Sequence, residues 1–288
     1  MNIEQLFEVL DGIEEQAGIR KTIINKILFF KKKLIINNYS FIYQIILKDK
    51  HMSYLILVRH GQSVWNLENK FTGWVDVDLN ENGKAQAKKA GELIKEKQIN
   101  IDLYYTSFQI RAKNTLKIIQ EELKDFKSVK SAWQLNERHY GSLTGLNKDE
   151  MRQKLGDEKI HQFRRSWDLR PEPLDKNSSY HPLNINIYKD IPLDKIPDTE
   201  SLRDTYERVI KFFNEEFKNK IENKNILISA HGNSIRALCK YLFNLDDNEI
   251  SKLEIPTGNP LLIQFDKNGK ILSCKYLDAE RAKDLLVY

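Results

Sequence analysis

Tyr54-Leu55-Ile56-Leu57-Val58-Arg59-His60-Gly61-Gln62-Ser63 opens with a continuous apolar run and then turns abruptly polar. The run is too short for a stable helix and matches a strand buried on both faces. A second run of the same kind, Ile226-Leu227-Ile228-Ser229-Ala230, leads into His231-Gly232-Asn233. Both strands therefore finish in a His-Gly pair. Ligands of open α/β sheets bind beyond the carboxyl ends of the strands, so His60 and His231 can face each other across one crevice. Gly61 and Gly232 would let the backbone approach a ligand closely. A helix after His231 would point N–H groups at an anion. A single histidine after a strand is more often packed or solvated than functional. Two in matching places, one of them preceded by Arg59, make a much sharper signal.

Working outward, the intervening chain alternates helical and strand patterns. Gly83 to Gln98 places Ala87, Ala90, Leu93 and Ile94 on one helical face, and Ile110 to Leu123 does the same with Ala112, Leu116 and Ile119. Asp102 to Tyr105 reads as a short strand. Residues 171–197 have scattered prolines and no period, which predicts a long excursion loop. A helix is expected from Thr199 to about Ile221 and another from Ser234 to Leu242. Leu261–Phe265 and Ile271–Tyr276 flank Asn268-Gly269, a hairpin turn. The alternation predicts an α/β fold, a three-layer sandwich with a mostly parallel sheet and helices on both faces.

Residues 1–51 differ in texture. They are rich in Ile, Lys, Phe and Asn, with a short amphipathic helix predicted from Ile3, Leu6, Leu10 and Ile13. The expected organisation is an N-terminal extension over 1–51 and a catalytic domain over 52–288, with Met52 as an alternative start. Net charge is +5, from 46 Lys and Arg against 41 Asp and Glu. This fits a small anionic substrate, and no basic stripe or aromatic-basic module argues for nucleic acid. The region from Ile23 to Leu47 is broken by Lys31-Lys32-Lys33, so no run reaches the ~18 residues of a membrane span. Cys239 and Cys274 form no metal-ligand spacing and read as reduced thiols. No signal-peptide layout opens the chain, and acids near the N-terminus disfavour a transit peptide. The expected location is cytoplasmic.

Leu57-Val58-Arg59-His60-Gly61-Gln62-Ser63 resembles the entry motif of the histidine phosphatase superfamily. Trp65-Asn66, Phe71-Thr72-Gly73-Trp74, Asp76-Val77-Asp78-Leu79, Leu135-Asn136-Glu137-Arg138-His139-Tyr140-Gly141, Gly145-Leu146-Asn147-Lys148, Arg164-Arg165, Ala230-His231-Gly232-Asn233-Ser234 and Ile255-Pro256-Thr257-Gly258 with Pro260-Leu261 narrow the likeness to the cofactor-dependent phosphoglycerate mutases. It covers about Ser53 to Leu277. The resemblance implies interconversion of 2- and 3-phosphoglycerate through a phosphohistidine on His60, primed by 2,3-bisphosphoglycerate and without a metal. It also implies a homodimer or homotetramer.

The resemblance makes His60 the nucleophile. A nitrogen nucleophile splits one hard phosphoryl transfer into two easier ones. It must be neutral to attack, and Arg59 disfavours the imidazolium. Arg59, Arg111 and His231 form the expected clamp on the phosphoryl oxygens, with Asn66 and Asn233 adding hydrogen bonds. Glu137 is either a proton donor and acceptor or an ion-pair partner of Arg138, and the resemblance favours proton transfer. Arg138, His139, Tyr140, Lys148, Arg164 and Arg165 are expected to bind substrate. Ser63, Thr72 and Gly73 are expected to complete the pocket wall. The stretch 171–197 departs from the family pattern, and residues 1–51 have no counterpart in it. Glu280–Tyr288 stands where relatives carry a longer tail, which predicts readier transfer to water. The alternatives are a phosphatase of the same superfamily, or bisphosphoglycerate synthase or phosphatase activity. A non-catalytic binding protein is disfavoured by His60, Glu137, His231, Arg59 and Arg111 standing together.

Overall fold

The computed structural model describes residues 52–283 and Leu285. The helix and extension expected within 1–51 lie outside the described residues. Six strands form one sheet in the order β3-β2-β4-β1-β5-β6. They are β1 (Ser53–Arg59), β2 (Leu103–Thr106), β3 (Val129–Ser131), β4 (Ile226–Ala230), β5 (Leu261–Phe265) and β6 (Ile271–Tyr276). The first four run parallel, while β5 lies antiparallel to β1 and forms the expected hairpin with β6, which is antiparallel to β5. Gly269 in its turn has a φ of +73°, which glycine adopts without penalty.

The apolar runs alternate between faces. Leu55 and Leu57 of β1, with Ile226 and Ile228 of β4, pack with Val209, Phe213, Ile235 and Leu238. Ile56, Val58 and Leu227 pack on the opposite side with Ala90, Ile94, Leu116 and Ile119. Two core layers around one sheet give the three-layer sandwich. One is covered by α2 (Glu81–Glu96) and α3 (Ile110–Leu123), the other by α6 (Leu202–Glu216) and α7 (Gly232–Leu242). The remaining helices are α1 (Val64–Leu67), α4 (Lys148–Leu155), α5 (Asp157–Arg165) and α8 (Asp247–Lys252).

Several boundaries move for identifiable reasons. α2 starts two residues before Gly83 because the Asn80 side chain caps it, accepting from Gly83 N at 2.8 Å. α6 starts after Ser201, which forms a capping box with Asp204. α7 begins at Gly232, with His231 as its N-cap residue, rather than at Ser234. Strand β3 had no sequence signal. Its three residues are all exposed, and it exists through its pairing with β2 at the sheet edge. The excursion 171–197 is not loosely packed. It makes three 3₁₀ turns, and Tyr188 and Ile191 are buried with Trp74.

Candidate active site

The parallel register builds the centre of the site. Arg59 of β1 lies opposite Ala230 of β4, so His60 and His231 emerge side by side one residue later. His60 N donates to Ala230 O at 2.9 Å, and the two rings stand 5.0 Å apart between centroids. Thr106 of β2 pairs with Ser229, which brings Ser107 Oγ to 2.7 Å from His231 Nε2. Both histidines are buried.

His60 Nδ1 donates to its neighbour's carbonyl, Gly61 O, at 2.7 Å. A carbonyl only accepts, so the proton sits on Nδ1 and the Nε2 lone pair is free. Burial holds the His60 pKa well below the ordinary histidine value, and the guanidiniums of Arg111 and Arg59 add to this. Burial likewise depresses His231, reinforced by Arg111 and His60. Arg59 donates to Ile255 O at 2.8 Å, and Arg111 donates to Val75 O and Gly73 O, each at 2.9 Å. These carbonyls fix the two guanidiniums while leaving each Nε buried without a partner among the described residues.

Glu137 is held from one side only. Its Oε1 accepts from Arg138 N and Asn233 Nδ2, each at 2.7 Å, and from Asn233 N at 3.3 Å. The Arg138 guanidinium turns elsewhere, donating to Phe163 O and Arg164 O. The ion-pair reading of Glu137 with Arg138 is thereby replaced by a backbone contact, and Oε2 remains on the side facing Gly232.

Two adjoining cavities of about 100 and 80 Å³ share Arg59, Glu137, Tyr140 and Arg164. The first adds His60, Asn66, Thr72, Gly73, Arg111 and Lys148. The second adds Arg165, Gly232 and Asn233. A larger cavity, about 550 Å³, shares no lining residue with either. Cations outnumber carboxylates in the two small cavities by seven to two, which suits a multiply charged anion. Burial lowers the Lys148 pKa to about 8, with Arg164 and Arg59 contributing. Burial alone would raise the Tyr140 phenol, but Arg138 and Arg164 outweigh it and the pKa falls.

Four expected pocket residues sit elsewhere. His139 is fully buried behind the site; Gly141 N donates to its Nδ1, and its ring faces His181 at 6.2 Å. Arg138 is also buried, its guanidinium stacked on the Tyr140 ring at 4.7 Å. Ser63 caps α1, its Oγ accepting from Asn66 N. Gly61 is a glycine because a Cβ there would lie 2.1 Å from Gly83 O. Its smallness serves the close contact of this loop with the first turn of α2. At Gly232, by contrast, the space a Cβ would take faces Arg59 and Glu137.

The sequence reading missed Lys70, Phe71, Arg236, Glu254 and Ile255 as lining residues, and Ser107 and Gln109 as supports. Arg236 was detectable, since it lies three residues after Asn233 on one helix face. Gln109 carried no such signal: its amide bridges Gly73 O and Glu137 N, which only the folded chain brings together. Among the described residues no three His, Cys, Asp or Glu side chains gather as metal donors, and no helix is long and apolar enough to cross a membrane.

A strand-end pair of buried neutral histidines flanked by arginines defines a phosphoryl-transfer class of site, and the chain belongs to the histidine phosphatase superfamily (branch 1), whose family model matches residues 55–185 and 175–276. Within that class it is 66% identical, over 82% of this chain and 100% of the relative, to the 2,3-bisphosphoglycerate-dependent phosphoglycerate mutase of Pelagibacter ubique. It is 47% identical to the enzyme of the same name from Hyphomonas neptunium, over 81% of this chain and 98% of the relative. The fold also matches a mycobacterial glucosyl-3-phosphoglycerate phosphatase at 19% identity, with a TM-score of 0.58 over 78% of this chain and 97% of that one.

Proposed function

We propose that this chain interconverts 2- and 3-phosphoglycerate through a phosphohistidine on His60. The observation that carries the reading is the free Nε2 lone pair of a buried, neutral His60 beside Arg59 and Arg111. Nε2 attacks phosphorus, the P–N bond forms as the P–O bond to glycerate breaks, and the second half-reaction reverses this at the other hydroxyl. The Nε–H groups of Arg59 and Arg111 meet the charge spread over the equatorial oxygens, with Asn66 lining the same cavity. Glu137 Oε2 gives the proton to the leaving alkoxide and takes it back from the attacking hydroxyl. Tyr140, Lys148, Arg164, Arg165 and Asn233 receive the carboxylate and second phosphate. The surplus of cations and the unpartnered N–H groups fit 2,3-bisphosphoglycerate, which supplies the priming phosphoryl group when bound.

The same reading makes residues 52–288 the catalytic domain of a cytoplasmic homodimer or homotetramer. An assay of 3-phosphoglycerate conversion, following 2-phosphoglycerate and free phosphate together, tests the proposal. Activity is expected to need trace bisphosphoglycerate, to survive excess EDTA and to be inhibited by vanadate. Activity lost in EDTA and restored by manganese overturns it. Phosphate as the main product transfers the reading to a phosphatase.

A further inference from the structure

Arg236 is 2% exposed, lines the second cavity and was assigned no part in the reaction above. A guanidinium can only donate, so its contacts have one direction. It donates to Asn233 Oδ1 at 2.9 Å, to Arg164 O at 3.4 Å, to Arg165 O at 3.3 Å and to Ile250 O.

The first contact fixes the Asn233 amide. With its oxygen turned to Arg236, its NH₂ must face the other way, where it donates to Glu137 Oε1 at 2.7 Å and Tyr140 Oη at 3.2 Å. A flipped amide would set an oxygen against the Glu137 carboxylate. Arg236 thereby aims a side-chain donor at the Glu137 oxygen that Arg138 N and Asn233 N also hold, and keeps the amide oxygen away from the carboxylate. The contacts to Arg164 O and Arg165 O lie at the C-terminal end of α5, where helix carbonyls lack intrahelical donors and a cation is favoured. Arg138 reaches Phe163 O and Arg164 O at the same end. The two arginines thus anchor the turn whose own side chains, Arg164 and Arg165, line the cavities. Bulk stability is a poor reason for this arrangement. Burial lowers the Arg236 pKa to about 9, and the neighbouring charges of Arg165 and Arg138 push it the same way.

We propose that Arg236 is a positioning residue that sets the Glu137 carboxylate through Asn233 and the substrate-binding arginines through the end of α5, coupling proton transfer to recognition from one buried side chain. The inference rests on the functional reading above, in which Glu137 transfers the proton and Arg164 binds substrate.

Two double-mutant cycles test it in the full-length protein, with 3-phosphoglycerate as substrate and bisphosphoglycerate present. Arg236→Met alone is expected to lower kcat at least tenfold and raise KM at least fivefold, with the circular-dichroism spectrum unchanged. On an Asn233→Ala background it should lower kcat by less than a further twofold. On an Arg164→Ala background it should raise KM by less than a further twofold. Arg236→Gln, which keeps one NH₂ donor, carries the same cycles if the Met variant does not fold. Fully multiplicative effects in both cycles, or unchanged kinetics in a folded Arg236 variant, overturn the proposal. If Asn233→Ala and Arg164→Ala themselves leave kcat and KM unchanged, the functional reading of those residues fails instead.

Discussion

His60, His231 and Ser107 each stand one residue beyond a parallel strand, whereas Tyr140, Lys148, Arg164 and Arg165 ride on short helices and turns outside the sheet. The inner group is set by sheet register. The hydrogen bonds that fix its strands are repeated along β1, β2 and β4, and its side chains are almost fully buried. The outer group has no ladder beneath it. Its placement depends on single contacts, such as Lys148 Nζ donating to Lys70 O at 2.7 Å and the buried guanidiniums that hold the end of α5. On the proposed function, the inner end supplies the chemistry and the outer end the recognition.

The largest effect expected from this contrast comes from the inner end. His60→Ala should abolish turnover and all acid-labile label from radioactive bisphosphoglycerate, because His60 lines the cavity and keeps a free Nε2 lone pair there. Undiminished label on the variant would break the assignment of His60 as carrier.

An outer residue should affect affinity before it affects chemistry. With its pKa near 8, Lys148 loses its charge as pH rises above that value, and an anionic substrate then loses a cation. The KM for 3-phosphoglycerate should climb by up to about tenfold per pH unit above pH 8 while kcat changes less. Lys148→Arg should flatten the rise. A wild-type KM constant from pH 7 to 9.5 would remove Lys148 from the binding set.

Buried histidines make a smaller and more general contribution. Burial depresses His139 to about 3, against an unfolded value near 6.5, and His60 and His231 shift in the same direction. Between those values the unfolded chain binds more protons, so stability rises with pH and is lost as pH falls from about 6.5 toward 3. Each such histidine changes the unfolding free energy by about 1.4 kcal/mol per pH unit in its window. Urea midpoints at pH 7, 6 and 5 measure this, and His139→Gln should weaken the dependence. A midpoint independent of pH would contradict the buried neutral state.

The smallest effect is expected from residues 1–51, since the match to the family model begins only at residue 55. A chain starting at Met52 should retain kcat and KM within about twofold. Lost activity with an unchanged melt would show that the extension contributes to the site.

Five of the six strands, the four helices that cover the sheet and the position of His60 and His231 just past two parallel strands were legible because they depend on local pattern. Five consecutive β-type residues, a helical period or an Asn-Gly turn carry their meaning within a few positions, and a residue just past a buried parallel strand lies at a sheet's carboxyl edge by geometry alone. Roles within the polar motif were not legible, because residues adjacent in sequence point in different directions once folded. In Glu137-Arg138-His139-Tyr140, Glu137 and Tyr140 reach the cavities, while Arg138 turns to α5 and His139 to His181. Gly61 likewise owes its lack of a side chain to Gly83, a residue in another element. Sequence set the inner end because hydrogen-bonded register propagates along strands. The outer end was decided by tertiary packing, since a buried guanidinium must find its carbonyls wherever the fold brings them.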